Sequence, residues 1–156
     1  MLFRSDLDGD GDADIVHCNG DTMDSGLARS NHGVRVLWND GARAFRVEEI
    51  AVMPGASQAS AADVDGDGDL DVVAAAFHPS VGGHDVGTFD SLLWVEQAPG
   101  GWLTHSIERD HCEHAAFAIV DVDGDGRRDL AAGTFRADPS GSPQPVVKVW
   151  LNRPRK

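Results

Sequence analysis

Apolar and polar positions alternate along this chain in short runs, and no stretch repeats at helical spacing. The middle third shows the order most fully. Small residues fill ASQASAA (56–62), a polar break follows, and LDVVAAAF (70–77) leaves it. After a Gly-rich connection come SLLWVEQ (91–97), the turn APGG (98–101) and WLTHSIER (102–109). Runs of this length, rich in β-branched and aromatic residues and bounded by Gly, Pro and Asp, predict four strands. The first third repeats the order with a shortened opening strand (2–5), then ADIVHC (13–18), GVRVLWN (33–39), the turn NDGARA and FRVEEIAV (45–52). The last third gives AAFAIV (115–120), DLAAGTF (129–135) and PVVKVWLN (145–152), and no fourth strand is predicted after Trp150. The expectation is an all-β chain of antiparallel hairpins.

The polar break between the first and second strands is nearly the same each time: DLDGDGDAD (6–14), DVDGDGDLD (63–71) and DVDGDGRRD (121–129). Carboxylates stand at positions 1, 3, 5 and 9, with Gly at position 6. Ca²⁺ is a hard cation that takes six to eight oxygens at about 2.3–2.6 Å, and alternate residues of a tight turn can aim carboxylates at one point. Position 7 needs to offer only its backbone carbonyl, so Arg127 is acceptable there. The predicted ligand sets are Asp6, Asp8, Asp10, Asp12 and Asp14; Asp63, Asp65, Asp67, Asp69 and Asp71; and Asp121, Asp123, Asp125, Arg127 and Asp129. Asp12, Asp69 and Arg127 serve through the main chain. An EF-hand starts with the same letters but closes with Glu at position 12, where this chain has His17, Ala74 and Ala132. These are therefore strand-loop-strand sites, with up to three Ca²⁺ expected. Carboxylates packed this densely repel one another unless a cation is present.

The spacing carries further information. Asp8, Asp65 and Asp123 stand 57 and 58 residues apart, and Trp38, Trp94 and Trp150 stand 56 apart. A period near 57 is too long for nonapeptide calcium rolls and suits one four-stranded propeller blade. It divides the chain into 1–53, 54–110 and 111–156, about three blades in an incomplete arc. Ala and Gly in the first two strands of each unit fit a narrow axis, while the tryptophans are expected to fill wedges between blades.

Composition then narrows the classes of function. The 156-residue chain is 41% hydrophobic, enough for a core, and carries a net charge of −13. More than half of its 26 acidic residues lie in the three loops, so the acidity belongs to them. With no basic stripe to neutralise phosphates, nucleic acid is excluded as a partner, and no apolar run is long enough to insert in a membrane. The two cysteines, Cys18 and Cys112, are too few for a disulfide framework and are expected to be free thiols.

The loops, the W-N-D-G-x-x-x-F turn from Trp38 to Phe45 and the 57-residue period together resemble FG-GAP/VCBS repeats, the blades of integrin α-subunit propellers and of many secreted bacterial proteins. The resemblance implies a β-propeller, usually of seven blades, with calcium between strands 1 and 2. At this period seven blades need about 400 residues, so the chain reads as a fragment of a larger propeller whose open edges are covered by further blades or by another copy. It also implies an extracellular, cell-surface or periplasmic setting, with the export signal outside MLFRSDLD.

The function expected on this footing is a calcium-binding structural or interaction module for a protein or glycan partner, of the kind used in cell adhesion. No nucleophile elbow, phosphate-binding glycine loop or catalytic carboxylate pair occurs, so no catalytic residue is assigned. The alternative is part of an exported metal-dependent carbohydrate-active enzyme, a lyase or dehydratase. Its site would lie on the face opposite the calcium loops, where His17, His32, His78, His84, His111 and His114 collect. His78, His111, Cys112 and His114 are the candidate ligands there, for Zn²⁺ or a similar transition metal.

Overall fold

The computed structural model describes residues 1–20, 29–41, 44–78, 89–109, 113–135 and 146–154. The long connections after the second strands fall largely outside these residues, and His84, His111 and Cys112 lie there with them. Every regular element described is a strand, in the order β1 (Leu2–Ser5), β2 (Asp14–Cys18), β3 (Gly33–Asn39), β4 (Phe45–Val52), β5 (Ala56–Ala62), β6 (Asp71–Ala76), β7 (Asp90–Ala98), β8 (Gly101–Arg109), β9 (His114–Val120), β10 (Asp129–Thr134) and β11 (Val147–Trp150). Neighbouring strands pair antiparallel into three meanders: β1-β2-β3-β4, β5-β6-β7-β8 and, among the described residues, the three-stranded β9-β10-β11. They stack as propeller-type blades and do not close into a ring.

The seams between sheets are made by the strands nearest the axis: β5 lies against β1, β2 and β3, and β9 lies against β5 and β6. β6 is buried along its whole length because it sits between both neighbours. Its side chains alternate, as pleating requires. Val72, Ala74 and Ala76 join Val16, Cys18, Val36 and Trp38 in the first seam. Val73 and Ala75 join Phe117, Leu130 and Ala132 in the second. Alanine is used here because two sheets must approach β6 at once. A side chain also helps to hold the second seam: Gln58 of β5 donates to the Phe117 carbonyl (3.1 Å) and accepts from the Phe117 amide (3.0 Å), acting as an extra rung between sheets.

The even 56-residue spacing of the tryptophans does not place them at equivalent points. The residue whose amide reports to the loop below is Asn39, Gln97 or Asn152, which is one, three and two residues beyond its tryptophan. Those equivalent residues stand 58 and 55 apart, so an even interval of 56 cannot hold the tryptophans in step with them. Pleating then puts Trp150 on the opposite face from Trp38 and Trp94. Trp38 meets Trp102 in the first seam, with ring centroids 6.3 Å apart. Trp94 and Trp150 reach into the second seam from its two sides and line one cleft of about 400 Å³. All three tryptophans thus fill wedges between sheets.

Candidate metal centres

Each aspartate loop is built by the same hydrogen bonds, position for position. The position-1 carboxylate (Asp6, Asp63, Asp121) accepts from the amides of positions 4 and 6, which are Gly9 and Gly11, Gly66 and Gly68, and Gly124 and Gly126. Position 3 accepts from the amide of position 5, and position 5 from that of position 7. These bonds coil the backbone around its own carboxylates. The glycines at positions 4 and 6 hold φ between 75° and 101°, a left-handed conformation that an L side chain resists. Sequence spacing identified the need for glycine at position 6 only.

Position 9 does something the sequence did not reveal. Asp14, Asp71 and Asp129 are each 1% exposed. One oxygen accepts from the position-2 amide (Leu7, Val64, Val122) at 2.9–3.1 Å. The other accepts from the end of the third strand or just past it, from Asn39, Gln97 or Asn152, at 2.8–2.9 Å. The residue is a strut that ties the loop to the sheet. Burial raises the carboxyl of Asp71 above its ordinary range, against the bonds from Gln97 and Val64. The bonds from Asn152 and Val122 lower that of Asp129. Burial costs Asp71 more because its sheet is covered on both faces.

Carboxylate oxygens converge within 4.8 Å of one another in three groups: Asp6, Asp8 and Asp10; Asp63, Asp65 and Asp67; and Asp121, Asp123 and Asp129. Among the described residues, these are the groups of three ligand-type side chains. They offer oxygen alone, the donor set of a hard cation rather than of zinc. At Asp8, Asp10, Asp65, Asp67, Asp123 and Asp125 one oxygen braces the loop while the other takes no hydrogen from the loop backbone. Each bracing oxygen also keeps a second lone pair. The residues therefore fit a divalent ion that needs several oxygens. Burial raises the Asp65 carboxyl above its ordinary range, and the charges of Asp67, Glu96 and Asp63 add to this. A cation at the centre offsets that repulsion.

The third group differs from the others. Arg153 lies 2.9 Å from Asp123 Oδ2 and 3.5 Å from Asp125 Oδ2, so a guanidinium already occupies part of the acidic field. Arg127, at position 7, contributes its amide to Asp125 as Asp12 and Asp69 do to their own loops. Asn152 donates to the Val64 carbonyl at 2.7 Å and links the second loop to the third sheet.

On the opposite side, His78 and His114 are both buried, 2% and 0% exposed. His114 is held between two acceptors: Nε2 meets the Glu108 carboxylate and Nδ1 faces the Gly133 carbonyl at 3.3 Å. The other Glu108 oxygen accepts from Lys148 Nζ at 2.6 Å. Burial works against the charge on Glu108, but the Lys148 and His114 bonds prevail and hold its carboxyl below the ordinary range. His78 stacks on Phe89 at 6.4 Å. The remaining ligands expected for a transition metal, His111 and Cys112, lie outside the described residues. Cys18 is a buried free thiol, pushed up to about 11 by burial.

Compared with known families, residues 6–74 match the model of the FG-GAP-like repeat, a span that takes in the first two aspartate loops. No curated protein and no solved structure gives a match.

Proposed function

We propose that this chain of FG-GAP-like repeats is a calcium-stiffened structural and interaction module of an exported protein. One observation carries the reading: the same self-bracing aspartate turn, with its converging carboxylates, is built three times. Asp6, Asp8 and Asp10, Asp63, Asp65 and Asp67, and Asp121, Asp123 and Asp129 hold the ions. Backbone carbonyls at Asp12, Asp69 and Arg127 complete the shells, and Asp14, Asp71 and Asp125 stand ready to join them. The ion supplies charge neutralisation and a rigid centre, with no chemistry of its own. The repeat family supports placement outside the cell. No helix among the described residues is long and apolar enough to cross a membrane.

Metal binding is coupled to folding because an unfolded loop does not gather its carboxylates. Each site filled at a hundredfold excess over Kd adds about 2.7 kcal/mol to stability. Calorimetry should therefore find calcium uptake at two or three sites per chain, and EDTA should lower the melting temperature by more than 10 °C. Unchanged melting in EDTA, or zinc bound in preference to calcium, refutes the assignment.

A further inference from the structure

The cleft between the second and third sheets brings two aspartate loops together. Val64 and Asp65 line it from the second loop, Arg127 and Asp129 from the third, and Asn152 stands with them just past β11. Asn152 touches the framework of both loops. Its main-chain amide donates to Asp129 Oδ1 at 2.8 Å, on the strut of the third loop and one of the three carboxylates that converge there. Its side-chain amide crosses the seam and donates to the Val64 carbonyl at 2.7 Å, on a residue 88 positions earlier in the chain.

Val64 separates Asp63 from Asp65, two of the carboxylates that converge in the second loop. Its amide donates to Asp71 Oδ2 at 3.1 Å, so its two main-chain groups are fixed from different sheets, one by its own strut and the other by Asn152. The matching asparagine of the first sheet is used differently. Asn39 also gives its main-chain amide to the strut, Asp14, but its side-chain amide goes to the Ala13 carbonyl of the same loop at 3.3 Å. At Asn152 a bond within one loop is replaced by a bond between two. Arg153 pairs with Asp123 and Asp125 of the third loop, and so bears on that loop's own affinity rather than on the link.

We propose that Asn152 is a positioning residue for the metal centre of the second loop and couples it to that of the third. The inference rests on the reading of both loops as calcium sites. A loop that gathers its carboxylates around an ion gives up conformational freedom. Calcium in the third loop fixes Asp129, Asp129 fixes the Asn152 main chain, and Asn152 holds Val64 with Asp63 and Asp65 on either side of it. Part of the ordering that the second loop requires is then already in place, so the second ion binds more tightly. By linkage the effect is reciprocal. Repulsion between the two ions acts in the opposite sense, but salt screens it over about 8 Å at physiological ionic strength, whereas the hydrogen-bonded path is local.

Calcium titration of the isotope-labelled full chain by NMR, at physiological ionic strength, tests this, with the amides of Gly11, Gly68 and Gly126 reporting the three loops separately. Asp121→Ala disables the third loop and should weaken calcium at the second about fivefold. Asp63→Ala disables the second loop and should weaken the third by the same factor. Asn152→Leu keeps the main-chain bond to Asp129 and loses the bond to Val64. In this variant the second loop should bind about fivefold more weakly even with the third loop filled, and adding Asp121→Ala should weaken it no further. The first loop is the internal standard and should titrate unchanged throughout, whereas a general loss of packing would shift it too. Equal affinity at the second loop with and without a working third loop overturns the proposal, as does a coupling that Asn152→Leu leaves intact. If Asn152→Leu does not fold, Asp121→Ala and Asp63→Ala still decide the matter, since absent or unequal factors overturn the coupling. Calcium uptake at independent sites sinks this inference alone, and no uptake at any loop sinks the metal assignment with it.

Discussion

Arg153 reaches the third aspartate loop from beyond β11 and sets its guanidinium 2.9 Å from Asp123 Oδ2, on one of the carboxylates expected to hold that loop's cation. The other two loops have no arginine so placed among the described residues. A cation competing for the same oxygen lowers metal affinity by the worth of the pair it forms, and an exposed pair of this kind is worth up to about 1 kcal/mol. Arg153→Ala should tighten calcium at the third loop by up to about fivefold and leave the other two unchanged. Isothermal titration with site-resolved analysis checks this, and an unaltered weakest site contradicts it.

The strut aspartates make a second prediction. Asp71 satisfies the amides of Val64 and Gln97 in a buried position. Asp71→Ala leaves both donors without that acceptor and should cost about 3 kcal/mol in urea unfolding. Asp71→Asn keeps one acceptor oxygen and should cost less. Equal losses from the two variants would mean that the position acts through charge rather than through its hydrogen bonds.

Gln58 tests how the second seam is held. Its amide serves both main-chain groups of Phe117. Gln58→Ala should lower stability by about 1 to 3 kcal/mol. In hydrogen exchange, the Phe117 amide should lose protection ahead of the β2–β3 ladder, which lies in another sheet. Loss of protection throughout would show instead that the three sheets unfold as one.

The cluster of Glu108, His114 and Lys148 predicts a pH dependence. Burial opposes ionisation of Glu108, but the bonds from Lys148 and His114 leave its folded-state value below the ordinary carboxylate range. The unfolded chain then binds the proton more readily, so the contribution of this group is complete above about pH 4.3 and is lost as pH falls through the lower folded value. The difference in melting temperature between wild type and Glu108→Gln should be largest above pH 5 and shrink below pH 4. A gap constant across that range would place the effect in packing.

Buried Cys18 should resist alkylation in the folded protein at pH 8, since its thiol is pushed up to about 11 and stays protonated. Peptide mapping after iodoacetamide treatment, with and without denaturant, reads this directly. Modification at equal rates in both states would show that the β2 strand opens readily.

Much of this protein was legible before any coordinates because its signals are local. The D-x-D-G-D-G turn needs only nine residues and the geometry of glycine, and period-two alternation needs only a strand with one face more buried than the other. The strands at 2–5, 33–39, 45–52 and 56–62 are found where the pattern places them. The positions of the tryptophans were not legible, because each third strand's register is set by its pairing with the second strand, which puts Trp150 level with Leu37 and Val95 rather than with Trp38 or Trp94. The 56-residue interval thus hid a turn of Trp150 to the opposite face.

The sequence by itself determined that three carboxylate-rich turns with glycine at position 6 would each be followed by a strand, since each of those signals spans fewer than ten residues. Only the tertiary structure decided that Asp14, Asp71 and Asp129 tie their loops to the third strand, that Arg153 returns to Asp123 and that Gln58 bridges two sheets. Those partners lie 23 to 59 residues apart. Which of the many polar side chains meet across such distances depends on how the sheets stack, and stacking is governed by the apolar faces of whole sheets, which no short stretch of sequence contains.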